Sequence, residues 1–151
     1  MGNRAVITTR KDLKGIGVYL HWNGGRDSVS AFLTYCKLKG FRPPERDNYG
    51  WAYLCTIIGN FFGGEGLSLG IDVANKLDCD NWDNGTYIIQ DWKIVDRLYR
   101  HNREQDVYPL MDMLLSIDEH QPHPLGEEEI KKRLAEIEQE EQKNDDSRTA
   151  Q

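Results

Sequence analysis

A strand pattern that changes into a helix pattern across two glycines is the feature that most constrains the fold of this 151-residue chain. From Ile16 to Trp22, apolar residues alternate in the way typical of a half-buried strand. Asn23-Gly24-Gly25 then breaks the strand, and apolar residues recur at helical spacing from Val29 to Cys36. A strand followed at once by an amphipathic helix predicts a core that contains both kinds of element.

The rest of the chain mixes strands and helices without the regular alternation of a doubly wound sheet. The alternation from Leu67 to Val73 predicts a central strand, packed on a mostly buried helix around Trp51–Phe62. We therefore expect a single-domain α+β fold, with a small, mostly antiparallel sheet packed against two to three helices. The other predicted elements are a strand at Ala5–Thr9, a hairpin of Thr86–Ile89 with Lys93–Tyr99, and a helix over Val107–Leu115.

The C-terminal part of the chain differs in composition from the rest. The net charge is −6, and residues 124–151 contain nine acidic and five basic side chains, which leaves −2 for residues 1–123. We expect residues 1–123 to form the globular α+β domain and residues 124–151 to form an acidic tail. In that tail, Glu127–Glu141 predicts a charged helix, and the last ten residues are expected to be disordered. The narrow apolar seam of this helix predicts that the helix docks or that the chain forms a weak homo-oligomer.

Composition also excludes several classes of protein. A nearly neutral body lacks the basic face needed for non-specific nucleic-acid binding. No stretch reaches the length of an apolar membrane span, and the N-terminal residues lack the apolar core of a secretory signal, so a cytoplasmic protein is expected. Cys36, Cys55 and Cys79 are odd in number and lack metal-binding spacing, which favours reduced thiols and predicts no metal and no cofactor.

The strand-to-helix junction is the best candidate for a ligand site. Backbone N–H groups at a glycine turn and a helix N-terminus favour an anion, and an arginine there can clamp a phosphate. Aromatic side chains on the preceding strand offer faces for stacking on a base. The alternative is a tight turn with a helix cap beside a core tryptophan. The predicted ligand-binding residues are Tyr19, His21, Trp22, Asn23, Gly24, Gly25, Arg26, Asp27 and Ser28.

Other candidate sites are weaker. His21 and Asp27 have the chemistry of an acid–base pair, but a strand histidine beside a cap residue is the simpler interpretation, and no catalytic residue is predicted. The acidic loop Asp78–Gly85 resembles a calcium loop, but its residues fall out of the required register. His120 and His123 have ligand spacing with a proline between them and no further ligand nearby.

Five short segments carry a resemblance to known sequences: Gly2–Thr8, Tyr19–Ser28, Asp47–Trp51, Ile58–Gly64 and Asp83–Ile89. They resemble a family of small uncharacterised proteins from bacteriophages and prophages of Gram-positive bacteria. The resemblance covers about residues 2 to 100 and stops before the acidic tail. It implies a phage accessory gene and transfers no catalytic residue.

These observations together predict a non-catalytic phage accessory protein that counters a host defence system inside the bacterial cell. The resemblance implies binding, either of a nucleotide-like signal or of a host defence protein. One alternative is an enzyme that acts on a nucleotide or its derivative. Another is an inhibitor that mimics nucleic acid with carboxylates, although the small net charge of residues 1–123 argues against it.

Overall fold

One five-stranded sheet, with helices packed on one of its faces, organises the fold. The computed structural model describes residues 2–64, 68–101, 104 and 106–149. The strands are β1 (Ala5–Thr8), β2 (Ile16–Leu20), β3 (Leu69–Val73), β4 (Thr86–Gln90) and β5 (Lys93–Leu98). The helices are α1 (Arg26–Leu38), α2 (Tyr49–Phe61), α3 (Leu110–Glu119) and α4 (Glu127–Thr149), and a short 3₁₀ turn spans Ala74–Lys76. The predicted α+β class is confirmed.

The strand order is β3-β2-β1-β4-β5, and three of the four strand pairs are antiparallel. Only β1 and β4 are parallel, with Val6 opposite Thr86. The predicted small, mostly antiparallel sheet is therefore confirmed. The prediction of β3 as a central strand is wrong, because β3 lies at the sheet edge. Alternation of apolar and polar residues indicates that one face of a strand is covered, but it does not indicate how many strands lie beside it. Leu67, which was included in that prediction, lies outside the described residues.

The hairpin β4–β5 turns at Asp91 and Trp92, which both have positive φ, at 51° and 61°. Two consecutive residues in this conformation are the mark of a type I′ turn, whose twist matches that of the flanking strands. The indole Nε1 of Trp92 donates to the carbonyl of Phe41 at 2.8 Å, which ties the turn to the loop before α2.

Helix α1 is the central helix of the packed layer. Eight of its residues are buried, and it contacts α2, α3, α4 and β5. The main core joins its apolar face to Ile7, Val18 and Leu20 of the sheet. By contrast, the prediction that α2 is the mostly buried helix is wrong, since Ala52 and Thr56 are exposed on its outer side.

An irregular segment covers the opposite face of the sheet on its way from β3 to β4. Ala74 and Leu77 pack so closely on Gly17 of β2 that a Cβ there would lie 2.9 Å from the Cα of Ala74. Farther along, the Thr86 hydroxyl donates to the carbonyl of Cys79 at 3.1 Å. This crossover carries the chain across the sheet and delivers the acidic loop 78–85 to the start of β4.

The C-terminal helix is part of the same core. Ile130 of α4 is fully buried in the main cluster, and Leu134 and Ile137 pack against it. The tail predicted over residues 124–151 is helical as far as Thr149, beyond the expected end at Glu141 and through most of the segment expected to be disordered. Three acidic residues in its first turn favour this helix through its dipole. None of the helices in the described ranges combines the length and apolar character needed to cross a bilayer.

Candidate functional site

The loops that precede β1 and β4 and those that follow β2 and β5 meet at one end of the sheet, which we call the loop edge. The strand directions place the starts of β1, β3 and β4 beside the ends of β2 and β5. Hydrogen bonds join these loops, for example from Asn84 Nδ2 to Asn3 Oδ1 at 2.6 Å and from the Val107 N–H to Asp27 Oδ2 at 3.0 Å. Its described residues are 2–4, 21–28, 78–85, 99–101, 104 and 106–109.

In the turn before α1, close packing around Gly24 explains why glycine is needed there, and a positive φ does not. Asn23 is the residue with positive φ, at 57°, whereas Gly25 has an ordinary φ of −65°. Gly24 donates its N–H to the carbonyl of Asn3, and a Cβ on Gly24 would lie 2.5 Å from that oxygen. The Tyr87 hydroxyl donates to the Gly24 carbonyl at 2.7 Å.

The N-terminus of α1 already holds a carboxylate from its own chain. Asp27 Oδ1 accepts the N–H of Ser28 at 2.8 Å, and Asp27 Oδ2 accepts the N–H groups of Val107 and Tyr108 at 3.0 and 2.9 Å. The positive end of the helix dipole favours this negative charge. Asp27 thus ties α1 to the loop before α3, and an external anion would have to displace it to reach these amides.

Arg26 lies between two neighbouring clefts of opposite character. The first, of about 260 Å³, is lined by Arg26 and Ser30 and by the carboxylates of Asp27, Glu104 and Asp106. Three carboxylates against one guanidinium make this cleft unfavourable for a phosphate. The second cleft is lined by the guanidinium groups of three arginines, and it is the one with the electrostatics for an anion.

We call the second cleft the arginine cleft. It has a volume of about 330 Å³. Its acidic residue, Asp96, is engaged by Lys11 at 2.8 Å from Nζ to Oδ2, and the pKa of Asp96 is held below its usual value by that hydrogen bond and by the Arg97 N–H. The remaining charges in the lining are therefore positive. The lining residues are Arg26, Ile94, Val95, Asp96, Arg97 and Arg100.

Arg97 is the fixed element of the arginine cleft. Its side chain is only 8% exposed, its guanidinium lies over the Tyr87 ring at 4.5 Å, and its Nη2 donates to the Asn84 carbonyl at 2.7 Å. Glu104 accepts a hydrogen bond from Arg97 Nη1 and lies 3.4 Å from Arg26 Nη1. The Arg97 Nε is buried and makes no hydrogen bond in the described structure. An unused charged donor of this kind is uncommon in folded proteins.

The aromatic residues of the predicted site lie at the other end of the loop edge. The Tyr19 hydroxyl and His21 Nδ1 are 2.9 Å apart, and the His21 ring packs edge-on against Trp22 with centroids 5.1 Å apart. Burial raises the pKa of Tyr19 above its usual value. Asp27 bonds elsewhere, so the alternative His21–Asp27 acid–base pair is not formed.

Two residues near these aromatics form an ion pair that the sequence did not predict. Both the backbone N–H and the Nε of Arg4 donate to Asp83 Oδ2, at 3.0 and 2.8 Å. Burial opposes ionisation of Asp83, but the hydrogen bonds from Arg4 outweigh it and hold its pKa below the usual value. No local motif signals this pair, because β1 and the loop before β4 are remote in sequence.

The acidic loop 78–85 is organised around a buried asparagine. The Asn81 side chain is 1% exposed. Its Nδ2 donates to the carbonyls of Asp78 and Gly85, and its Oδ1 accepts the N–H groups of Asp83, Asn84 and Gly85. In the described part of the chain, no three His, Cys, Asp or Glu side chains are grouped to hold a metal ion.

Exposed aromatic side chains project from the loop edge. Trp82 is 65% exposed and stacks on the His101 ring at 4.0 Å. Trp82 and Tyr99 both have positive φ, at 61° and 58°. This conformation is unfavourable for residues with bulky side chains, and such strain concentrates at functional sites. The exposed aromatic residues here are Trp22, Trp82, Tyr99 and Tyr108.

Eight of the nine predicted site residues lie on the loop edge, and Tyr19 lies just before it in β2. The nine divide between two places. Tyr19, His21 and Trp22 lie near Arg4, whereas Arg26 faces the arginine cleft. The sequence missed Arg97, Arg100 and Glu104, which come from β5 and the segment after it. Comparison with protein-family models, with curated proteins and with solved structures gives no match to this chain.

Proposed function

We propose that this protein is a phage accessory protein that binds a phosphate-bearing, nucleotide-like signal of a host defence system and thereby sequesters it. The arginine cleft supports this proposal, because Arg26, Arg97 and Arg100 all line it. Guanidinium groups bind phosphate bidentately, and their charge persists at every physiological pH. The observation that carries the proposal is the grouping of these three arginines around one cleft whose acidic residue, Asp96, is engaged by Lys11.

Glu104 supplies the second argument. Its carboxylate stands between Arg26 and Arg97, where a phosphate oxygen would bind, and so acts as an internal substitute for the anion. Exposed Tyr99 lies next to Arg100 in the sequence and offers a face for a base. On this proposal, the ligand displaces Glu104 from the two arginines.

The test is calorimetric titration against a panel of linear and cyclic nucleotides, together with mass spectrometry of the supernatant after denaturation. Arg26→Ala and Arg100→Ala should each weaken binding about tenfold or more, the scale of a lost hydrogen bond to a charged group. Glu104→Gln should tighten binding, because it removes the competing charge. Arg10→Ala, an exposed arginine outside the cleft, is the matched control.

Opposite effects of Arg26→Ala and Glu104→Gln would be hard to obtain from general destabilisation of the fold. The proposal fails if no nucleotide in the panel binds and none is released on denaturation. It also fails if Glu104→Gln weakens binding as much as Arg26→Ala does.

A second candidate function is direct binding of a host defence protein through the exposed aromatics of the loop edge. Exposed tryptophan and tyrosine side chains are enriched at protein interfaces. The double variant Trp22→Ala with Trp82→Ala should then abolish protection of the phage in plaque assays on strains that each carry one defence system. Its nucleotide binding should be unchanged. Tyr49→Ala, which truncates an exposed aromatic residue of α2 outside the loop edge, is the control.

A further inference from the structure

The outer edge of β3 exposes a row of backbone hydrogen-bonding groups. The His21 N–H donates to the Ser68 carbonyl, and the Ala74 N–H donates to the carbonyl of Gly15. Because hydrogen-bonded residues alternate along an antiparallel pair, the even-numbered residues of β3 bond to β2. The N–H and C=O groups of Leu69, Ile71 and Val73 therefore point away from the sheet.

The side chains of the same three residues form an apolar row on the helix-covered face. Leu69 and Ile71 are paired with Leu20 and Val18 of β2, which are core residues of that face. Ile71 is nevertheless 63% exposed, and its neighbour Ile16 is 43% exposed. An exposed apolar edge strand is a template for pairing with another strand.

We propose that this edge pairs with the same edge of a second copy of the chain, antiparallel and centred on Ile71. Ile71 is the middle residue of the five-residue strand Leu69–Val73. A two-fold axis there places Ile71 opposite Ile71 of the other copy, and Leu69 opposite Val73. All three outward residues then form hydrogen-bonded pairs, and the apolar row continues across the axis.

Charge favours this register over the register centred on Asp72. In the Ile71-centred pairing, Asp72 lies opposite Gly70 of the other copy. A register centred on Asp72 would set two carboxylates directly opposite each other, which is destabilising. The sequence LGIDV is thus compatible with its own two-fold pairing in the first register and not in the second.

Asp72 also weakens the dimer that it helps to align. Its Oδ1 accepts the N–H of Val73 at 2.7 Å, so pairing must exchange this bond for one across the axis. A five-residue strand also buries much less surface than a standard interface, and interfaces of that size are weak. The dimer is therefore concentration-dependent. Because the strands run antiparallel, the two loop edges point in opposite directions.

The test is sedimentation equilibrium of the full chain from about 1 μM to about 1 mM, the range of weak complexes. The wild-type protein should shift from monomer to dimer, and Ile71→Lys should remain monomeric with an unchanged melting temperature. Val95→Lys, at an exposed apolar site on β5 at the opposite sheet edge, should dimerise as the wild type does. Asp72→Ala should dimerise more tightly.

Cross-linking fixes the register. Ile71→Cys should be joined to itself by a short bis-maleimide, because paired Cα atoms across the axis lie about 5.5 Å apart. Val95→Cys should not be joined. A chain that is monomeric throughout the range, or a dimer that survives Ile71→Lys, would overturn the proposal. The second result would place the interface elsewhere on the chain.

Discussion

The hydroxyl of Tyr35 donates a hydrogen bond of 2.5 Å to Oδ1 of Asp118, inside the core between α1 and α3. Asp118 also accepts the N–H groups of Leu125 and Gly126, at 2.7 and 2.9 Å, where the chain turns into α4. One buried carboxylate therefore connects three helices. Burial opposes its ionisation, but the hydrogen bonds from Tyr35 and the two amides outweigh burial and lower the pKa of Asp118.

Replacing Asp118 should be among the most damaging polar substitutions. Asp118→Ala leaves three donors unpaired, so we expect a loss of about 3 kcal/mol in the free energy of unfolding. Tyr35→Phe removes one bond of the set and should cost about 1 kcal/mol. Urea unfolding measures both. Asp112→Ala, on the exposed side of the same helix, is the control and should change stability by less than about 0.5 kcal/mol.

The same carboxylate predicts part of the acid sensitivity. Because the pKa of Asp118 is lower in the folded state than in the unfolded state, its ionised form stabilises the fold above the ordinary value of 3.8. This contribution disappears as the pH falls through the folded-state pKa. The stability difference between wild type and Asp118→Asn should therefore shrink below about pH 4. A difference that stays constant to pH 2 would contradict this account.

The two glycines before α1 should respond differently to substitution. A Cβ on Gly24 would meet backbone oxygen of Asn3 at 2.5 Å, whereas the nearest atom to a Cβ on Gly25 is the side-chain oxygen of Asp27 at 2.9 Å. Gly24→Ala should cost about 2–3 kcal/mol through overpacking, and Gly25→Ala should cost less than about 1 kcal/mol. Chemical denaturation of both variants gives the comparison. Equal costs would show that the turn relaxes as a unit.

The C-terminal helix should be divisible into a necessary and a dispensable half. Ile130 is fully buried, so Ile130→Ala should lose about 2–4 kcal/mol, and truncation after Gly126 should unfold or severely destabilise the domain. Truncation after Glu141 removes residues 142–148, which are polar and exposed, together with the last three residues, and should leave the melting temperature within about 2 °C. Thermal unfolding by circular dichroism checks both. Composition alone predicts that the domain tolerates truncation after Gly126, because acidic residues far outnumber the few apolar residues of this segment.

Relieving backbone strain at Tyr99 should separate stability from function. A non-glycine residue at φ 58° costs about 1 kcal/mol, so Tyr99→Gly should raise the melting temperature by about 2–4 °C. It should also weaken nucleotide binding, since the stacking face is lost. Asn23→Gly is the comparison, because asparagine tolerates a φ of 57° and little strain is relieved. A less stable Tyr99→Gly would mean that the ring packs on the fold.

Local sequence patterns correctly predicted the elements that are determined by residues close together in the sequence. Alternation up to Leu20, the break at Asn23-Gly24-Gly25 and helical spacing from Val29 identified β2, the turn and α1 in the right order. The hairpin at Asp91 was predicted by its two flanking runs. In each case the residues that determine the structure lie within a few positions of one another.

The candidate site was only partly predictable because its contacts are remote in sequence. Arg26 was identified from its place at a helix start, but Arg97 and Glu104 reach it from beyond β5. Nothing in Asp27 indicates that its second oxygen holds the loop before α3, and nothing in Trp82 indicates a positive φ. These features depend on the order of strands in the sheet, which periodicity does not encode.

The position of β1 at the middle of the sheet bears on how the chain folds. Its antiparallel partner β2 follows after a short connection, so that hairpin can form early. Its parallel partner β4 pairs with it from Val6–Thr86 to Thr8–Ile88, and this pairing requires closure of a long loop. Contacts of such high sequence separation slow folding. Until β4 pairs with it, one side of β1 is an open strand edge, and an open edge is a template for pairing with another chain.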